Sequence, residues 1–261
     1  MNLYNAAEIA ALCSQLAGVL AGLAFAALLL YIAQTQAPKD GAVHVGVVVS
    51  LVVALVSLMI CAILYATTTG FPNLLSIVFL TLTTPAFGLS VMLLFLAIAF
   101  ALHRDEYKAT ALIITTVVTV VIPVITTTEA VLGALTIEQT ECQGCGYFSI
   151  SNWHTSPATW GWGAIIMVLA ATVILKHSTL GKKAISAHDG IFLRPARFVL
   201  LVTLIEFALN VIMSFTAVNF RPSNWVLVLY LFAVAAVMII CSFLCIRALK
   251  STPLQIKSTE Q

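Results

Sequence analysis

Apolar residues run in seven long blocks along this chain, and the polar stretches between them alternate in charge. The blocks fall at 9–33, 44–68, 74–102, 110–136, 160–176, 196–219 and 225–249. A bilayer's hydrocarbon core is crossed by about 20 apolar residues in helical form, so each block is expected as one transmembrane helix. The pattern predicts an all-α integral membrane protein, a bundle of seven spans. A single membrane domain covers residues 1–250, and 251–261 form a polar tail.

Charge then orients the bundle. The loops after the first, third and fifth blocks and the tail carry Lys39, Arg104, Lys108, Lys176, Lys182, Lys183, Arg194, Arg197, Arg247, Lys250 and Lys257. The other side has only Arg221, against Glu8, Glu138 and Glu141. Basic residues stay in the cytoplasm, so the N-terminus is expected outside and the C-terminus inside. The first block lacks a basic lead and is too long for a signal-peptide core, so it reads as a retained helix.

Composition narrows the class further. With 61% hydrophobic and only 8% charged positions, a soluble domain is excluded. A net charge of +2 gives no reason to expect nucleic acid as a partner. The partner is the lipid bilayer, and the cell's plasma membrane is the expected location. Lys182, Lys183, Arg194 and Arg197 in the longest cytoplasmic loop are candidates for contact with anionic lipid.

Two acidic residues fall within blocks. Glu206 lies near mid-span in the sixth and Glu129 in the outer half of the fourth. A charged residue at the centre of a bilayer costs roughly 2.5–3.5 kcal/mol on translocon scales, so each is expected to face the bundle or a wet cavity. Thr203, Glu206, Asn210 and Ser214 recur every three or four residues and share one helical face. That stripe makes Glu206, Asn210 and Thr203, with Glu129, the candidate residues for binding a small solute or ion. The alternative is structural: Glu206 as a neutral acid hydrogen-bonded to a neighbouring helix.

Other features have a packing reading. Gly18-x-x-x-Gly22, flanked by Ser14 and Ala26, forms a small-residue stripe suited to close helix packing, within the chain or against a second copy. Gln15 is a further polar group in that helix. Pro85 and Pro123 are expected to bend their helices, with Thr83, Thr84, Thr126, Thr127 and Thr128 placed to satisfy freed carbonyls. Nothing beyond similar turns after the second and sixth blocks supports an internal repeat.

The longest outer loop holds Cys142-Gln143-Gly144-Cys145. Two cysteines on the oxidising side are expected to form a disulfide. A redox-active pair is the sharper reading. Cys142, Cys145 and His154 match no zinc spacing, and the cytoplasmic His44, His103, His177 and His188 form no His-x-x-x-His pair. No metal or cofactor is expected. Without a Lys inside the seventh block, a retinal Schiff base is excluded. The expectation is a non-enzymatic membrane protein that conducts, transports or senses a small solute or ion. A structural or accessory subunit of a membrane complex is the first alternative, and a thiol-redox protein the second.

Overall fold

The computed structural model describes residues 6–34, 41–71, 73–102, 108–141, 156–177, 190–216 and 222–250. Among them all regular structure is helical. The elements are α1 (Ala6–Gln34), α2 (Gly41–Thr68), α3 (Asn73–Ala101), α4 (Lys108–Thr116), a π segment (Val117–Val121), α5 (Ile122–Glu141), α6 (Pro157–His177), α7 (Gly190–Thr216) and α8 (Asn224–Lys250). Six stretches are long and apolar enough to cross a bilayer: 6–33, 44–68, 74–101, 112–138, 193–215 and 224–249. A shorter apolar helix, Thr159–Leu175, lies in α6. This is an integral, multi-pass membrane architecture, built of helices because hydrocarbon offers no partner for an open backbone.

α3 is the centre of the bundle. It packs against α1, α2, α5, α7 and α8, and 72% of its apolar window is buried, against 17% for α1. α6 sits on the far side, against α5 and α8. At one end the link from α2 to α3 is tight. Ser76 Oγ donates to the Thr68 and Phe71 carbonyls at 3.0 and 2.9 Å, and the rings of Phe71 and Phe79 lie 4.8 Å apart.

Small residues set how closely α3 and α5 approach. A Cβ added to Gly88 would collide with the Thr126 side chain, and one added to Gly133 with Thr81. Thr81 and Gly88 are seven residues apart, as are Thr126 and Gly133, in opposite order. The two helices are therefore antiparallel, each threonine filling the notch of a glycine opposite. Gly161 of α6 meets Val131 of α5 in the same way.

Inside the chain α1 packs through a small-residue face other than the Gly18 and Gly22 stripe. Ala10, Ala17, Ala21 and Ala24 are buried, and Ser14 Oγ donates to the Ala62 carbonyl of α2 at 2.9 Å. Gly18 and Gly22 lie on the opposite side, with open space where a Cβ would stand, and Gln15 is also exposed. Alanine already permits close approach, and its spacing of three, four and seven faces α2 and α3. Among the described residues the glycine motif meets no other helix.

The fourth apolar block is also not one uniform helix. Pro123 brings no N–H, and its ring presses on the carbonyl a turn earlier. The π segment just before it widens the helix, closed by Ile122 N–H on the Val117 carbonyl. Thr127 and Thr128 donate to the Pro123 and Val124 carbonyls, at 2.7 and 2.8 Å, rather than to carbonyls upstream of the proline. Each hydroxyl bonds its own helix one turn back because that acceptor is always within reach.

Filling the notches tests this packing. Gly88→Leu and Gly133→Leu are each expected to cost about 1–3 kcal/mol as overpacked sites, read as a lower unfolding temperature in detergent. Gly18→Leu is expected to leave the monomer's unfolding temperature unchanged. Tolerance of leucine at Gly133 would contradict the packing of α3 on α5.

Candidate functional site

Pro85 sits inside α3, and the site is built around it. The proline has no N–H to give to the carbonyl four residues back, that of Thr81. An unpaired buried carbonyl is costly in the enclosed middle of the bundle. Tyr230 of α8 supplies the missing donor, its hydroxyl bonding the Thr81 carbonyl. One residue past the proline, the Ala86 N–H donates to Glu206 Oε2 of α7 at 2.9 Å. The Ala86 carbonyl accepts from Ser90 Oγ at 2.6 Å.

Two helices thus clasp the proline turn of a third. Glu206 is 9% exposed, and its electrostatic neighbours include Cys61 of α2 and Tyr230 of α8. The carboxyl stands at a junction of α2, α3, α7 and α8. Among the described residues no Lys, Arg or His pairs with it, so whatever charge it carries is not neutralised by a protein cation.

The rest of the expected stripe is buried but turned back on its own helix. Thr203 Oγ1 donates to the Val199 carbonyl at 2.9 Å and Asn210 Nδ2 to the Glu206 carbonyl at 2.9 Å. Ser214 donates to the Asn210 carbonyl at 2.8 Å and is exposed. Thr203 and Asn210 share the buried face with Glu206, but only Glu206 reaches another helix. Thr83 and Thr84 bond the Phe79 and Leu80 carbonyls, at 2.9 and 3.0 Å. Neither takes the carbonyl that Pro85 frees.

Glu129 occupies a different place. It is exposed on α5 and has Cys13 of α1 and Tyr65 of α2 as electrostatic neighbours. Tyr65 is one turn from Cys61 on the same face of α2, so this pair stands between the two carboxyls.

Three residues that sequence patterning passed over complete the polar interior. Ser50 and Ser57 of α2 and Ser242 of α8 are fully buried, and among the described residues their hydroxyls have no hydrogen-bond partner. Ser50, Ser57 and Cys61 recur at seven and four residues and share one face of α2. Serine is frequent in membrane helices, and only the three-dimensional placement marks these as unpaired. Tyr230 was hidden for the same reason: a tyrosine near a helix end reads as an interfacial anchor.

Several expected sites lie outside the described residues: Cys142 and Cys145, His154, and Lys182 and Lys183. Arg194 and Arg197 are exposed near the start of α7. Cys13, Cys61, Cys241 and Cys245 are free thiols. His44 stacks on Tyr31 with ring centroids 5.2 Å apart. Among the described residues no cluster of His, Cys, Asp and Glu is suited to a metal ion. Comparison with known protein families, curated proteins and solved structures gives no match.

The clasp yields a coupling test. Tyr230→Phe is expected to lower stability by about 1 kcal/mol, the usual net worth of a hydrogen bond. In a Pro85→Ala background the backbone N–H returns and the same change is expected to cost almost nothing. A double-mutant cycle on unfolding free energies reads the difference. Equal costs in both backgrounds would contradict the clasp.

Proposed function

We propose that this chain is a seven-span membrane protein that conducts, transports or senses a small cation, protons included, which it binds at Glu206. Its N-terminus lies outside and its C-terminus in the cytoplasm, in the plasma membrane. The observation that carries the reading is an enclosed carboxyl at a four-helix junction with no protein cation beside it among the described residues. An acid placed there for packing alone is expensive, because an amide or hydroxyl accepts the Ala86 N–H equally well. Ser57 and Ser50 extend the reading. Their unpaired hydroxyls, on the face of α2 that carries Cys61, offer sites for water or for a desolvated ion.

On this reading Asn210 and Thr203 shape the pocket wall. Glu129 lies toward the outside. Arg194 and Arg197, with Lys182 and Lys183, hold the cytoplasmic ends at anionic headgroups, worth about 1 kcal/mol per basic residue. An outer disulfide between Cys142 and Cys145 would close the loop between α5 and α6. A second reading, a subunit that docks on partners, draws on the face at Gly18 and Gly22, which none of the described helices covers.

Thiol accessibility separates the readings. Glu206 and Asn210 are each replaced by Cys in a background lacking the six native cysteines. A small, membrane-impermeant reagent is applied to intact membranes from each side in turn. Labelling at both positions is expected, placing a wet pathway at mid-bilayer. Protection from both sides in folded variants would make Glu206 a packed structural acid and remove the transport reading.

A further inference from the structure

α1 and α5 each pack on α3, yet among the described residues they form no packed interface with one another. A groove therefore runs between them with α3 as its floor. The floor shows in the burial pattern of α3, otherwise the most enclosed helix. Leu80, Phe87, Val91 and Ile98 are partly exposed and recur at seven, four and seven residues, one stripe along the helix. Leu80 and Phe87 pack against the cluster of Ala17, Cys61, Tyr65 and Ala86, which places the stripe beside α1.

Glu129 stands on the α5 wall of this groove. It falls inside the apolar span 112–138, about 13 Å along the helix from its end at a rise of ~1.5 Å per residue. Its side chain is exposed and makes no hydrogen bond or ion pair among the described residues. Cys13 of α1 packs against the same cluster as Leu80 and Phe87. A bare carboxylate facing hydrocarbon is costly, and a cation brought to it would offset that cost.

The surroundings say what kind of cation. The floor beside the carboxyl is a continuous apolar stripe, which suits a cation that carries a hydrocarbon chain. We propose that the groove between α1 and α5 binds an amphiphilic amine, its ammonium group on Glu129 and its alkyl chain over Leu80, Phe87 and Val91. The site is separate from Glu206, which is enclosed, and the proposal does not depend on ion passage.

The test uses the full-length protein in nanodiscs of zwitterionic lipid, with dodecylammonium and dodecanol as probes. Both carry the same chain, and only one carries the charge. N-ethylmaleimide alkylation of Cys13, read by peptide mass spectrometry, reports cover of the groove. Dodecylammonium is expected to slow alkylation about tenfold at saturation, dodecanol to have little effect, and Glu129→Gln to abolish the protection. Equal protection by the two probes in the native protein would overturn the proposal, whether or not the variant folds. Unchanged protection in folded Glu129→Gln would do the same. So would a Cys13 that stays unreactive without any probe in a particle whose mass is that of a dimer, because a second copy would then cover the groove.

Discussion

A proline in the most enclosed helix of a membrane bundle leaves a buried backbone carbonyl without its helical donor. That constraint organises the centre of this protein. The Thr81 carbonyl needs a donor, and the Tyr230 hydroxyl provides it from α8. The turn that follows presents the Ala86 N–H to Glu206 on α7. Three helices are joined at one level through groups that a regular α3 would have kept to itself. The reciprocal threonine and glycine notches fix α5 on the remaining side of α3, so the polar junction sits in a closely packed frame.

The two intramembrane acids share a chemistry and differ in setting. Glu206 is enclosed and bonded to backbone. Glu129 is open and, among the described residues, unbonded, beside a stripe of apolar side chains. Cys61 and Tyr65 lie between them on one face of α2. An enclosed acid suits a small ion that sheds its water, and an open one suits a ligand that brings its own hydrocarbon.

Much of the fold was legible in the sequence because bilayer thickness imposes one length scale on every span. All-helical, multi-pass character followed from the apolar blocks alone. The burial of Thr203, Glu206 and Asn210 followed from their helical spacing, since four polar groups on one stripe rarely face lipid. What patterning could not supply was pairing between helices. The Gly18 and Gly22 stripe left open a partner within the chain or a second copy, and small-residue spacing does not say that the alanines at 10, 17, 21 and 24 are the face turned inward. The π segment before Pro123 was illegible because its residues, Val117 to Val121, are ordinary for an α-helix. Tyr230 escaped notice because the group it satisfies lies 149 residues away.

The central claim is that Glu206 is an exchangeable acid held at the proline turn, rather than a fixed piece of packing. Glu206→Gln keeps an acceptor for the Ala86 N–H and removes only the proton. The decisive measurement is the infrared difference spectrum of the protein in lipid, across pH and cation concentration, compared with that of Glu206→Gln. The account predicts a carboxyl C=O band that exchanges with a carboxylate band and is missing from the glutamine variant. Identical spectra for the two proteins under every condition would show an acid locked in one state and contradict the account.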